Sequence, residues 1–141
     1  MKKTILTSFI ALIFFAFTSE QTSSITVKVS NIEKVEGPIY FMLYKSKDGF
    51  PSDQTKAYRQ GKVTHYGTEA TFTFDNLPVG EYAVAFFQDE NNNGKLDSNF
   101  LGIPKESVGA SNMTGFSKPS FRKSKFQLGQ EQIILELEFV I

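Results

Sequence analysis

The eight residues Glu81–Gln88, reading Glu-Tyr-Ala-Val-Ala-Phe-Phe-Gln, limit the fold of this chain more than any other stretch. A turn at Pro78 and Gly80 opens them, and an acidic, asparagine-rich segment beginning at Asp89 closes them. Read as a strand, they place Tyr82, Val84 and Phe86 on one face and Ala83, Ala85 and Phe87 on the other. The small alanines let a second layer approach closely.

The remaining apolar segments keep the same period of two. Ile25, Val27 and Val29 alternate with Thr26, Lys28 and Ser30, after a polar linker at Gln21–Ser24. Ile39–Tyr44 is apolar throughout, which predicts a strand covered on both faces. Ala57–Tyr66, interrupted by Gly61, predicts a weak edge strand. Phe72 and Phe74 point inward from Thr71–Phe74, and Asp75–Gly80 reads as a tight connection. Phe121–Leu128 and Gln132–Ile141 are expected as closing strands, the second with Ile133, Leu135, Leu137 and Phe139 facing in. Between Ser98 and Pro119 no period holds, and Gly102, Gly109 and Gly115 mark a long irregular excursion. No mature segment shows a helical period. The expected fold is all-β: an Ig-like or transthyretin-like antiparallel β-sandwich of about seven strands.

Residues 1–19 read as a secretory signal peptide, with Lys2 and Lys3 ahead of the apolar run Ile5–Phe17. That run is short for a spanning helix, which needs about 20 residues. The expectation is therefore one domain over residues 20–141, periplasmic or extracellular, with no transmembrane span after leader removal. Fifteen basic and fifteen acidic residues balance to zero, and losing Lys2 and Lys3 leaves about −2. Such a charge gives no footprint for nucleic acid. The absence of cysteine removes thiolate metal sites, a lipid-modified cysteine anchor and a cysteine nucleophile.

The segment Asp89–Asp97 carries the chemistry. Asp89, Asn91, Asn93 and Asp97 occupy its first, third, fifth and ninth places, with Gly94 sixth. A calcium ion takes about six to eight oxygens, and alternate side chains on a curled backbone converge on one point. Gly94 allows the reversal, the Lys95 carbonyl offers a further oxygen, and Leu96 pins the loop. Phe100 stands where an EF-hand would have its twelfth-place Glu, so the closer analogue is a nine-residue loop between strands. The competing reading is a plain hairpin, since Asn93-Gly94 is itself a strong turn signal.

No catalytic constellation emerges. His65 is the only histidine, and no Gly-x-Ser-x-Gly elbow accompanies it. Asp48, Asp53, Glu81 and Glu106 are read as solvated, and Lys118, Arg122, Lys123 and Lys125 as one face of a strand. The function expected is a binding or structural module with an unidentified protein or glycan partner outside the cytoplasm. The alternatives are a carbohydrate- or ester-active hydrolase using the loop carboxylates, and an accessory domain of a surface or transport assembly.

Taken together, Leu77-Pro78-Val79-Gly80-Glu81-Tyr82-Ala83-Val84, Asp89–Asp97, Phe100–Glu106, Gly109–Asn112 and Pro119-Ser120-Phe121 resemble the bacterial family of domain of unknown function 2141. The resemblance spans essentially the whole mature chain and implies an exported, single-domain β-sandwich with no established activity. After Phe121 the chain departs from the family pattern, with Arg122 and Lys123 where acidic residues are expected.

Overall fold

A computed structural model describes residues 21–115 and 117–140. The leader expected over residues 1–19 lies outside these described residues. No helix among them is long and apolar enough to cross a membrane.

Eight strands and one short helix form the frame. Strands β1 (Thr22–Ser30), β4 (Ala70–Pro78) and β8 (Ile133–Glu138) make one sheet in the order β4-β1-β8. Strands β2 (Ile39–Tyr44), β3 (Arg59–Val63), β5 (Gly80–Gln88) and β6 (Val108–Ala110) make the other in the order β3-β2-β5-β6. A fifth strand, β7 (Phe126–Leu128), pairs with the start of β5, while β6 pairs with its end. The fold is thus an all-β sandwich. Its pairings are antiparallel except that β8 lies parallel to β1, in register Ile25 to Ile133 through Ser30 to Glu138.

The core lies where the two inner faces meet. Ile25, Val27 and Val29 from β1 are fully buried against Ile39, Phe41 and Leu43 from β2 and Tyr82, Val84 and Phe86 from β5. Ile133, Leu135 and Leu137 close it from β8. Phe41 stacks between Phe72, at 5.4 Å, and Phe86, at 6.0 Å. Gly61 is apolar space rather than a simple interruption of β3, because a Cβ there would come 2.1 Å from the Phe72 ring.

A second apolar cluster covers the outer face of the larger sheet. Met42, Tyr44, Ala85 and Phe87 are buried there beneath Phe50, Leu96, Val108 and Phe121. Strands β2 and β5 are therefore dry on both sides, which is what their unbroken apolar sequences require.

Several local expectations change. β1 begins at Thr22, so most of the presumed polar linker is strand. β4 runs on to Pro78, and a register shift between Ser23 and Ile25 absorbs the irregularity. Thr26, assigned to a wet face, is buried and bonds to Thr73 and Gln132. Phe121–Leu128 is not one strand: α1 (Phe121–Ser124) precedes β7. The cause is local packing, with Phe121 set 6.1 Å from Phe50 and the Ser124 carbonyl accepting from the Ser111 hydroxyl. Arg122 and Lys123 consequently ride on a helical turn rather than on a sheet face.

Phe41→Ala is expected to lower the unfolding free energy by about 3–5 kcal/mol. Val79→Ala, at a half-exposed position, should change it by less than about 0.5 kcal/mol. Urea unfolding of the two variants checks both values.

Candidate functional site

β5 ends by burying a charge. Asp89 directly follows its last residue and is 1% exposed. A carboxylate taken out of water must be supplied with donors. The Asn93 amide donates to one Asp89 oxygen at 3.0 Å, and the Gly94 amide donates to the other at 2.7 Å. Gly94 has φ +79°, the left-handed geometry that lets the chain curl back over the carboxylate. The backbone of Asp89 is gripped as well, since its N–H donates to the Pro38 carbonyl. Gly37 sits tightly here: with φ +66°, it would place a Cβ 1.8 Å from the Asp89 carbonyl oxygen.

Asp97 gathers the rest of the loop. One of its oxygens accepts from the side-chain amides of Asn91, at 2.7 Å, and Asn93, at 2.6 Å. The Asn91 side-chain oxygen accepts from the Asn93 backbone amide, and that of Asn93 from the Lys95 backbone amide, forming two successive Asx turns. The Asn91 amide holds the Asp97 carboxyl below the usual carboxylate range, with Asn93, Lys95 and Lys105 adding to the effect. The curl thus holds two separate knots, the Asp89 carboxylate on the Asn93 and Gly94 backbone and the Asp97 carboxylate on the Asn91 and Asn93 side chains, with the Lys95 amide bound to Asn93.

Sequence reasoning missed Glu106, which is buried rather than solvated. Its two oxygens accept from the backbone amides of Glu90, at 3.2 Å, and Asp97, at 3.0 Å. One side chain thereby ties both ends of the loop together. Burial pushes its carboxyl above the ordinary range, and the charges of Asp89 and Asp97 push the same way. Nothing in the local sequence marks this role, because it depends on the excursion folding back.

That return is itself ordered. Lys105 N–H donates to the Asp97 carbonyl, Ser98 bridges Pro104, and the Asn99 carboxamide oxygen accepts from the amides of Leu101 and Ile103. The resulting tip presents Phe100 at 95% exposure, Leu101 at 68% and Ile103 at 50%. Between the excursion and the outer face of the larger sheet lies a pocket of about 480 Å³. Leu96 and Ser98 belong to its wall, so the loop and the pocket share structure.

The other sequence candidates are dispersed. Asp48 pairs with Lys56 and Glu81 with Lys125, both at exposed positions. Asp53 caps a 3-10 turn, Gln54–Lys56, by accepting from Thr55. His65 is exposed just beyond β3 and contacts Thr64. Among the described residues no three His, Cys, Asp or Glu side chains converge at ligand distance. An ion held by the loop would therefore rely on asparagine and main-chain oxygens as well as carboxylates.

The family described as "Uncharacterized protein conserved in bacteria (DUF2141)" matches residues 27–135. No curated protein and no solved structure gives a significant match.

Because Glu106 binds its proton more tightly folded than unfolded, protonation favours the fold. That contribution is present below the ordinary glutamate value of 4.5 and is lost as pH rises through the higher folded value. Unfolding free energy should fall across that window in the native protein. In Glu106→Gln this slope should vanish, at a cost of about 1–3 kcal/mol for the mismatched amide. Urea unfolding at a series of pH values reads both effects.

Proposed function

We propose that this chain, which belongs to the DUF2141 family, is an exported binding module whose Asp89–Asp97 loop takes calcium and steadies the neighbouring excursion as a recognition surface. The observation that carries this reading is the curled loop itself, in which the Asp89 carboxylate takes the Asn93 and Gly94 amides and the Asp97 carboxylate takes the Asn91 and Asn93 side chains. Two carboxylates and two carboxamides suit a hard cation of modest affinity, on the order of 0.1–1 mM, which matches conditions outside the cell.

The loop residues have distinct parts in this reading. Asp97 supplies an exposed carboxylate already kept ionised by its neighbours. Asn91 and Asn93 direct N–H groups at it, and turning each amide to offer oxygen would exchange its Asx turn for an ion contact. Asp89 is the fixed base of the curl. Glu106 holds the two ends at constant separation. Bound calcium would contribute positive charge where Asp89 and Asp97 bear on Glu106, easing the repulsion that raises its pKa.

Export is supported by Lys2-Lys3 followed by Ile5–Phe17. Binding is favoured over hydrolysis because no carboxylate is among the described residues lining the adjacent pocket. In this reading the excursion meets an extracytoplasmic protein or glycan, and the pocket beneath it is available for a smaller ligand.

Calcium at about 10 mM should raise the melting temperature of the mature protein by roughly 4–10 °C. Asp97→Asn should remove most of that rise. An unchanged melting temperature, or an equal rise in Asp97→Asn and Asp89→Asn, would sink the calcium assignment.

A further inference from the structure

The pocket under the excursion has a composition that the loop does not explain. Its floor is the outer face of the larger sheet at Met42, Ala85 and Gly109, where Ala85 and Gly109 leave depth beside Met42. Leu96, Val108 and Met113 form walls, and methionine adapts to irregular apolar shapes. Leu101 and Ile103 line it while remaining largely in water, so an occupant would cover apolar surface now exposed. The volume of about 480 Å³ falls within the range of small-molecule sites. At about 30 Å³ for each water-sized group, the space holds roughly sixteen such groups, room for a chain of about ten carbons with its headgroup.

Charge decides the other end of the occupant. Among the described residues, Lys118 is the single charged residue lining the pocket. Among the described residues it has no carboxylate partner, and neither do Arg122 or Lys123, which follow on α1. Phe121 docks that helix on the same apolar face as Met42 and Ala85. The cations near the loop are placed differently, since Lys95 and Lys105 act on Asp97. An apolar cavity with one unpaired cationic side is complementary to an amphiphilic anion.

We propose that this pocket binds a medium-chain carboxylate, with its alkyl chain lying between the excursion and Met42, Ala85 and Met113 and its carboxylate meeting Lys118. The concave shape favours such a ligand over a flat protein partner. This assignment deepens the binding-module reading and rests on it. It is independent of calcium, although the shared Leu96 and Ser98 would link the two occupancies.

The test is calorimetric titration of the purified mature protein with decanoate and, separately, with decanol, each in calcium and in chelator. Decanoate should bind, and decanol should bind about tenfold more weakly because it lacks the charge. Lys118→Glu should weaken decanoate by about tenfold or more and leave decanol nearly unchanged. Leu101→Asp should weaken both. Both substitutions are at exposed positions, and circular dichroism would verify that the fold persists. No heat with decanoate, equal affinity for acid and alcohol, or an unaltered Lys118→Glu titration would overturn the assignment. So would binding to anionic vesicles without binding to monomeric decanoate. Decanoate binding with no calcium response would overturn the calcium reading alone, whereas a calcium response without decanoate binding would overturn the pocket alone.

Discussion

Strand β5 has protein on both faces, and this double cover is the constraint on which the other features depend. Its inner side chains fill the core, and its outer ones need a second roof. Its backbone edges are also taken, by β2 along one side and by β7 and β6 in turn along the other. The excursion and α1 are therefore structural cover and not decoration. A movement in either reaches Ala85 and Phe87 directly, which joins the surface loops mechanically to the centre of the domain.

Where β5 ends, its rigidity passes to the loop. Asp89 is fixed by its backbone to Pro38 and by its carboxylate to two amides, with Gly37 pressed against its carbonyl. The loop starts from an immobile point, so modest forces can set its remaining shape. Asp97, with its asparagine amides, is more exposed and freer to exchange partners. Such a division, a fixed base and an exchangeable rim, suits reversible capture of an ion better than a permanent staple would.

The strands were legible because alternation is a local property. Ile39–Tyr44 announces double burial in its unbroken apolar run, Ala83 and Ala85 leave room for a second layer on β5, and the structure places both strands between two layers. The curl at Asn93-Gly94 was legible for a similar reason, since a turn signal is written in adjacent residues and Gly94 takes the positive φ it allows. What escaped depended on distant partners. Phe121–Ser124 is too short to show a helical period, and it is set by Phe50 and Ser111. Glu106 resembles any surface glutamate until Glu90 and Asp97 arrive beside it. The pocket is a space between segments, and its one forewarning was an apolar tip, Phe100 to Ile103, inside a region without periodicity.

The parallel pairing of β1 with β8 bears on when the molecule can be completed. Ile25 lies beside Ile133, so synthesis must run past Glu138 before the smaller sheet gains its third member. Loop closure over that separation is slow, and the partial sandwich left without β8 lacks Ile133, Leu135 and Leu137 from its interior. A nascent polypeptide of this topology stays open during translation. For a protein on the route proposed above, that delay is useful, because an unfinished chain can still be threaded through a translocation pore before the last strand locks it shut.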